Sequence, residues 1–80
     1  MATVTLTYCV PCGFRERALD TQQAILASLE GEIDRFELVM GDHGAFRVEV
    51  GDEIVYDKER DTFDIDAVVR DVRAELQTHT

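Results

Sequence analysis

The sequence predicts a two-layer α/β fold of the α+β kind, with both helices packed on one face of a four-stranded mixed sheet. Three observations carry this. The periodicities along the chain fall in the order β-α-β-β-β-α, every strand segment has one apolar and one mostly polar face, and 80 residues leave room for one thin core. A sheet covered by helices on both sides reads as continuous apolar runs, so alternation in all four strands places both helices on the same side. A chain of this length buries only about 60–65% of its unfolded surface, and 45% apolar residues suffice for that. One domain spanning residues 1–80 is expected, without linker, repeat or low-complexity stretch.

The first strand is Thr3 to Tyr8, where Val4, Leu6 and Tyr8 alternate with Thr3, Thr5 and Thr7 turned to solvent. Phe14, Ala18, Ile25 and Leu29 then recur at helical spacing, with Leu19 and Leu26 beside them and Gly31 as the stop. Phe36, Leu38 and Met40 give a second strand, and Phe46, Val48 and Val50 a third. Gly51-Asp52 makes a tight turn into a fourth strand, Glu53 to Asp57, with Ile54 and Tyr56 on one face. Ile65, Val68, Val69, Val72 and Leu76 form the stripe of a last helix, with Asp64 or Asp66 supplying negative charge at its start. On the open face only Val39 and Val55 are large and apolar, which reads as scattered surface or, more sharply, as a weak dimer contact.

The first crossover has room to be right-handed and parallel, while strands three and four must be antiparallel. This is the minimal thioredoxin-type topology, in which strand three lies antiparallel beside strand one. It brings the loop Gly41-Asp42-His43-Gly44 next to Cys9 and Cys12.

Charge excludes some functions. The formal net charge of -9 argues against nucleic acid and anionic membranes as partners, since both would repel the chain. Seven Arg stand against a single Lys, Lys58, a balance that fits a protein working in concentrated salt as well as an ordinary acidic one. Residues 1–8 carry neither a charged leader nor a long apolar run, so no signal peptide is expected. Nothing approaches the ~20 apolar residues of a membrane span. A small secreted domain would show several cysteine pairs, whereas this chain has two cysteines three apart, so a cytoplasmic location is expected.

Those cysteines lie in Tyr8-Cys9-Val10-Pro11-Cys12-Gly13-Phe14, a C-x-x-C where strand passes into helix. A first helical turn holds two Cα atoms at disulfide spacing, and its free N–H groups favour a thiolate. Pro11 suits that turn, Arg15 and Arg17 add positive charge, and Glu16 and Asp20 oppose it. A reversible dithiol/disulfide is the reading of choice. Two others stand beside it: buried structural thiols, and half a zinc site completed by a second chain or by His43 and His79. No cofactor or metal is expected. His43 as a proton shuttle competes with a solvated loop histidine, and His79 in the tail is expected to be inert.

The chain resembles the selenoprotein W-like (Rdx) family over nearly its whole length. The resemblance rests on the opening strand ending Tyr8-Cys9-x-x-Cys12, the aromatic Phe14, the segment Gly44-Ala45-Phe46-x-Val48-x-Val50, and the hairpin Gly51-Asp52-Glu53-Ile54-Val55-Tyr56. It implies a thioredoxin-like fold and a redox role. Relatives often carry selenocysteine at the position of Cys12, which marks that position as chemically active and makes slower chemistry plausible with sulfur. Thioredoxins proper place a cis-proline before strand three, but the single proline here is Pro11. Gly41 and Gly44 remain as places where a partner backbone can approach, or as plain turn glycines.

The expected function is thus thiol–disulfide exchange through Cys9 and Cys12 (an oxidoreductase if it turns over), with Gly41, His43 and Gly44 bordering the substrate. Partners would be protein or low-molecular-weight thiols and disulfides, and the chain a monomer or weak dimer. The alternative is a redox-sensing module that binds partners without turnover. Cys9, which ends the strand and opens the loop, is expected to meet an incoming disulfide first. Cys12, one turn in and shielded by Phe14, suits resolution, although the resemblance favours Cys12.

Overall fold

The computed structural model describes residues 2–78. The elements run β1 (Thr3–Cys9), α1 (Arg15–Leu29) with one 3-10 turn after it (Glu30–Glu32), β2 (Arg35–Gly41), β3 (Phe46–Val50), β4 (Glu53–Asp57) and α2 (Ile65–Thr78). The sheet order is β2-β1-β3-β4, with β1 parallel to β2 and antiparallel to β3, and β3 antiparallel to β4. This is the order the sequence predicts, and both helices lie on one face, over β1, β3 and β4.

The core forms where the alternating stripes meet the helical ones. Val4, Leu6, Phe46, Val48, Val50 and Tyr56 face Ala18, Ile25 and Leu29 of α1 and Val68, Val69, Val72 and Leu76 of α2. The α1 stripe also includes Thr21, fully buried, whose hydroxyl donates to the Arg17 carbonyl at 2.7 Å and so needs no outside partner. At the start of α2 the Asp64 carboxylate accepts from the N–H of Asp66 at 3.0 Å and of Ala67 at 3.4 Å, so of the two acids expected to supply negative charge there it is Asp64 that caps the helix.

Five sequence expectations need correction. Leu38 and Met40 do turn to the helical face, but β2 is the rim of the sheet and the helices lie mainly over β1, β3 and β4. Leu38 therefore stays 38% exposed and Met40 74%, while Phe36 alone of that stripe packs on the core. In β4, Ile54 and Tyr56 are not on one face. A bulge opposite Val48 and Glu49 leaves Val55 unpaired in the register, so Tyr56 pairs with Val48 and Ile54 with Glu49. Ile54 is thus turned to the open face and Val55 packs against the core, the reverse of the simple alternation.

The third correction moves the helix start. Val10 to Gly13 form a tight turn closed by the Gly13 N–H on the Val10 carbonyl at 3.2 Å, with Pro11 in the position that favours its fixed φ. Gly13 takes φ +78°, which a right-handed helix cannot contain, so α1 begins only at Arg15. Fourth, Thr7 is buried rather than turned to solvent. Gly31 also lies inside the 3-10 turn and takes no left-handed cap.

Candidate functional site

Cys9 is the last residue of β1, an interior strand of the sheet, and pairs in register with Gly41 of β2. Its N–H donates to the Ala45 carbonyl at 2.7 Å, and the next N–H, of Val10, donates to the Gly41 carbonyl at 3.2 Å. Held from both sides, Cys9 is fully buried. Cys12 follows in the Val10–Gly13 turn, ahead of the helix, and is exposed. The two form a disulfide with Cα atoms 5.3 Å apart, inside the usual range. The exposures are opposite to the sequence expectation. A strand end between two neighbours is enclosed, while a turn projecting past the sheet is open, and Phe14 does not shield Cys12.

The loop after β2 does come to the cysteines, through its backbone. The Ala45 N–H closes a turn on the Asp42 carbonyl at 3.2 Å, with His43 at φ +56° and Gly44 at φ +75°. Two consecutive left-handed residues are the signature of a tight primed turn, which accounts for Gly44 as a turn glycine. Gly41 has a different reason. A Cβ there would stand 3.1 Å from Thr7 Cγ2 and 3.5 Å from the Tyr8 carbonyl, so β1 itself crowds the position. The His43 side chain is 91% exposed and lies 3.6 Å from the Asp42 carboxylate. His79 falls outside the described residues.

Beyond Cys12 lies an aromatic cluster that the sequence reading did not assemble. Phe46 meets Phe14, Tyr56 and Phe63 edge-to-face at 6.0, 6.0 and 5.6 Å. The Arg17 guanidinium sits 5.2, 5.8 and 4.7 Å from the rings of Phe14, Phe46 and Phe63, where their faces attract a cation. Lys58 Nζ stands 5.8 Å from the Phe14 ring. Phe63 carries no periodic signal because it sits in the irregular segment before α2, and Arg17 reads as an ordinary exposed helix residue. Burial raises the Tyr56 pKa above 10.0 against an opposing pull from Arg17, with Asp61 and Asp57 adding to the rise. Its hydroxyl finds no hydrogen-bond partner among the described residues.

A groove of about 620 Å³ opens beside this cluster, with Cys12, Phe14, Arg17, Asp20, Phe63 and Ile65 among its lining. The exposed Cys12 is therefore next to apolar and charged surface, not bare solvent. A second groove of about 530 Å³, along α1 at Leu19, Gln22, Leu26 and Glu30, holds no thiol. Among the described residues no group of three or more His, Cys, Asp and Glu side chains is arranged to hold a metal ion. No described helix is long and apolar enough to cross a membrane.

Two crystal structures share this architecture. A protein from Bordetella parapertussis superposes with TM-score 0.85 at 22% identity, over 92% of this chain and 96% of that one. A selenoprotein W-related protein from Vibrio cholerae gives TM-score 0.84 at 19% identity, over 94% of this chain and 96% of its own. At these identities they establish the fold, which is thioredoxin-like. No curated protein matches the sequence. The model of the Rdx family matches residues 3–74, a span that takes in the C-x-x-C turn, the Ala45–Phe46 contact strand, the bulged hairpin and most of α2. With nearly the whole fold and both cysteines inside that match, the chain belongs to the Rdx family.

Proposed function

We propose that this Rdx-family chain is a thiol–disulfide redox protein of the cytoplasm, with Cys12 as the attacking thiol and Cys9 as the resolving one. The observation that carries the reading is the asymmetry of the bonded pair: Cys12 exposed on a turn beside a groove, Cys9 fully buried at a strand end. Exchange requires a sulfur that a partner can reach in line, and access and thiolate fraction together set which thiol attacks.

In the reduced protein the Cys12 thiolate attacks one sulfur of a partner disulfide. A Cys12–partner bond forms, the partner's own sulfur–sulfur bond breaks, and one partner thiol leaves with a proton. Cys9, already within disulfide spacing, then attacks the Cys12 sulfur. The Cys9–Cys12 bond forms, the second partner thiol leaves, and the partner has gained the two electrons the protein has lost. The groove at Phe14 and Phe63 supports the reading by offering apolar area to the group attached to the attacked sulfur. Gly41 pairs with Cys9 in register, and with His43 and Gly44 of the turn that follows it is assigned the rim of the same substrate site.

Limited alkylation tests the assignment. Reduced protein treated with substoichiometric iodoacetamide and mapped by mass spectrometry is expected to carry label at Cys12 first. Preferential label on Cys9 would reverse the roles. A Cys9→Ser variant is expected to accumulate mixed disulfides through Cys12, and Cys12→Ser to accumulate few. Equal trapping by both variants would remove the asymmetry on which the reading rests.

A further inference from the structure

The rim strand β2 has features that the redox chemistry does not use. It is the longest strand together with β1, seven residues against five for β3 and β4, and it carries no bulge. Three consecutive apolar residues on it are exposed: Leu38 at 38%, Val39 at 41% and Met40 at 74%. An unpaired sheet edge presents free N–H and C=O groups, and proteins normally blunt such edges with bulges, prolines or lysines. The opposite rim follows that practice, since β4 is short and bulged and runs into Lys58. Along β2 the only charges are Arg35 and Glu37, which already neutralise each other at 2.8 Å.

We infer that the β2 edge binds the β2 edge of a second copy of this chain, antiparallel about a two-fold axis at Leu38. Such an axis stands perpendicular to the sheet, so both helical layers stay on the same side and the two sheets join as one. The strand is self-complementary in this register. On the helical face Phe36 lies opposite the second copy's Met40 and Leu38 opposite its own counterpart, so all three inward residues gain an apolar neighbour. On the open face Glu37 lies opposite Val39 and Arg35 opposite Gly41, so no two like charges stand directly across from each other. Centring the axis on Glu37 instead would set the two carboxylates face to face, which is unfavourable. Centring it on Phe36 would leave Met40 unpaired, and centring it on Val39 would set Phe36 against Asp42.

The same register places Arg35 of one copy opposite Gly41 of the other, the residue that pairs with Cys9. The contact therefore ends beside the redox turn, without covering Cys12. One strand pairing lies at the low end of interface sizes, below ~1,200 Å². Each copy also carries a net charge of -9, which opposes association until salt screens it. The dimer is accordingly concentration-dependent and favoured by salt.

The test uses a Cys9→Ser/Cys12→Ser background, so that its outcome is independent of the thiol chemistry, with circular dichroism to confirm the fold. Sedimentation velocity is expected to show a shift toward twice the 9.0 kDa chain mass as KCl rises to molar concentration, and Met40→Lys is expected to abolish the shift. Met40 is so exposed in the single chain that this change leaves folding intact. In the same background Leu38→Cys, at the two-fold axis, should cross-link efficiently on oxidation, and Val39→Cys, which faces Glu37, should not. A monomer at every salt and protein concentration would overturn the dimer. Cross-linking through Val39→Cys but not Leu38→Cys would overturn the register.

Discussion

Leu6 and Leu38 are partners in register on neighbouring strands and turn to the same face, yet one is fully buried and the other 38% exposed. The difference lies entirely in strand order. β1 is flanked on both sides and covered by α1, whereas β2 is flanked on one side and lies at the margin of the helical layer. The cysteines repeat the contrast at shorter range. Cys9 is enclosed because it ends an interior strand, and Cys12 is open because it lies on a turn beyond the sheet. Alternation sets the face a residue takes; position in the order sets whether anything covers it.

The largest effect expected from this comparison is a difference between two identical substitutions. Leu6→Ala should cost about 2–5 kcal/mol, the range for truncating a buried leucine. Leu38→Ala should cost about 1 kcal/mol or less in dilute protein, because much of its side chain is already in water. Urea unfolding of both variants with unchanged m-values would measure this. Equal costs would break the contrast. A Leu38→Ala cost that grows with protein concentration in high salt would sharpen it, since the rim would then be covered by association.

How far the sequence discloses this molecule follows from the same distinction. Local periodicity disclosed the four strands, both α-helices and the layer arrangement, though not the 3-10 turn at Glu30–Glu32, because Val4 and Leu6, Val48 and Val50, and the Val68–Leu76 stripe each repeat the spacing of their element. It failed where geometry is set between elements. Neither the β4 bulge that sends Ile54 outward nor the rim position of β2 has a signature in one strand's alternation. The C-x-x-C pair was legible from spacing, and its proximity to the Gly41–Gly44 loop from topology. The burial of Cys9 was not, because it depends on hydrogen bonds that the Cys9 and Val10 N–H groups donate to the carbonyls of Ala45 and Gly41, distant in sequence. Gly13 was the overlooked clue: its left-handed turn holds Cys12 outside the helix.

A smaller effect is expected at Tyr56, where the interior is sealed but imperfectly satisfied. Its hydroxyl is buried without a partner among the described residues, and burial raises its pKa above 10.0. Tyr56→Phe should therefore be neutral, or stabilising by about 1 kcal/mol, where loss of a buried bonded hydroxyl would destabilise. The pH dependence has a definite sign. The folded chain holds the phenol proton more tightly than the unfolded chain, so this contribution is complete below pH ~10 and drains as pH rises through the folded value. Melts across the alkaline range should fall less steeply for Tyr56→Phe than for the parent. Parallel curves would mean that water reaches the phenol in the folded chain and that burial does not raise its pKa.

The smallest effect lies at Gly41, where the rim strand touches the interior one beside Cys9. Replacing a strand glycine by alanine ordinarily stabilises by roughly 0.5–1 kcal/mol through the unfolded chain. Here the added Cβ would stand 3.1 Å from Thr7 Cγ2, and Thr7 is only 9% exposed, so the methyl has little room to give. The two contributions should nearly cancel in Gly41→Ala. Thr7→Ser removes that methyl while keeping the hydroxyl, and in its background Gly41→Ala should recover the ordinary stabilisation. A double-mutant cycle by thermal melts should therefore show a coupling of roughly 0.5–1 kcal/mol between the positions. Additive effects would mean that Thr7 is not what keeps the position bare. If additivity came with a loss of disulfide-exchange rate in Gly41→Ala, the glycine would instead mark close approach by the partner's backbone to Cys9.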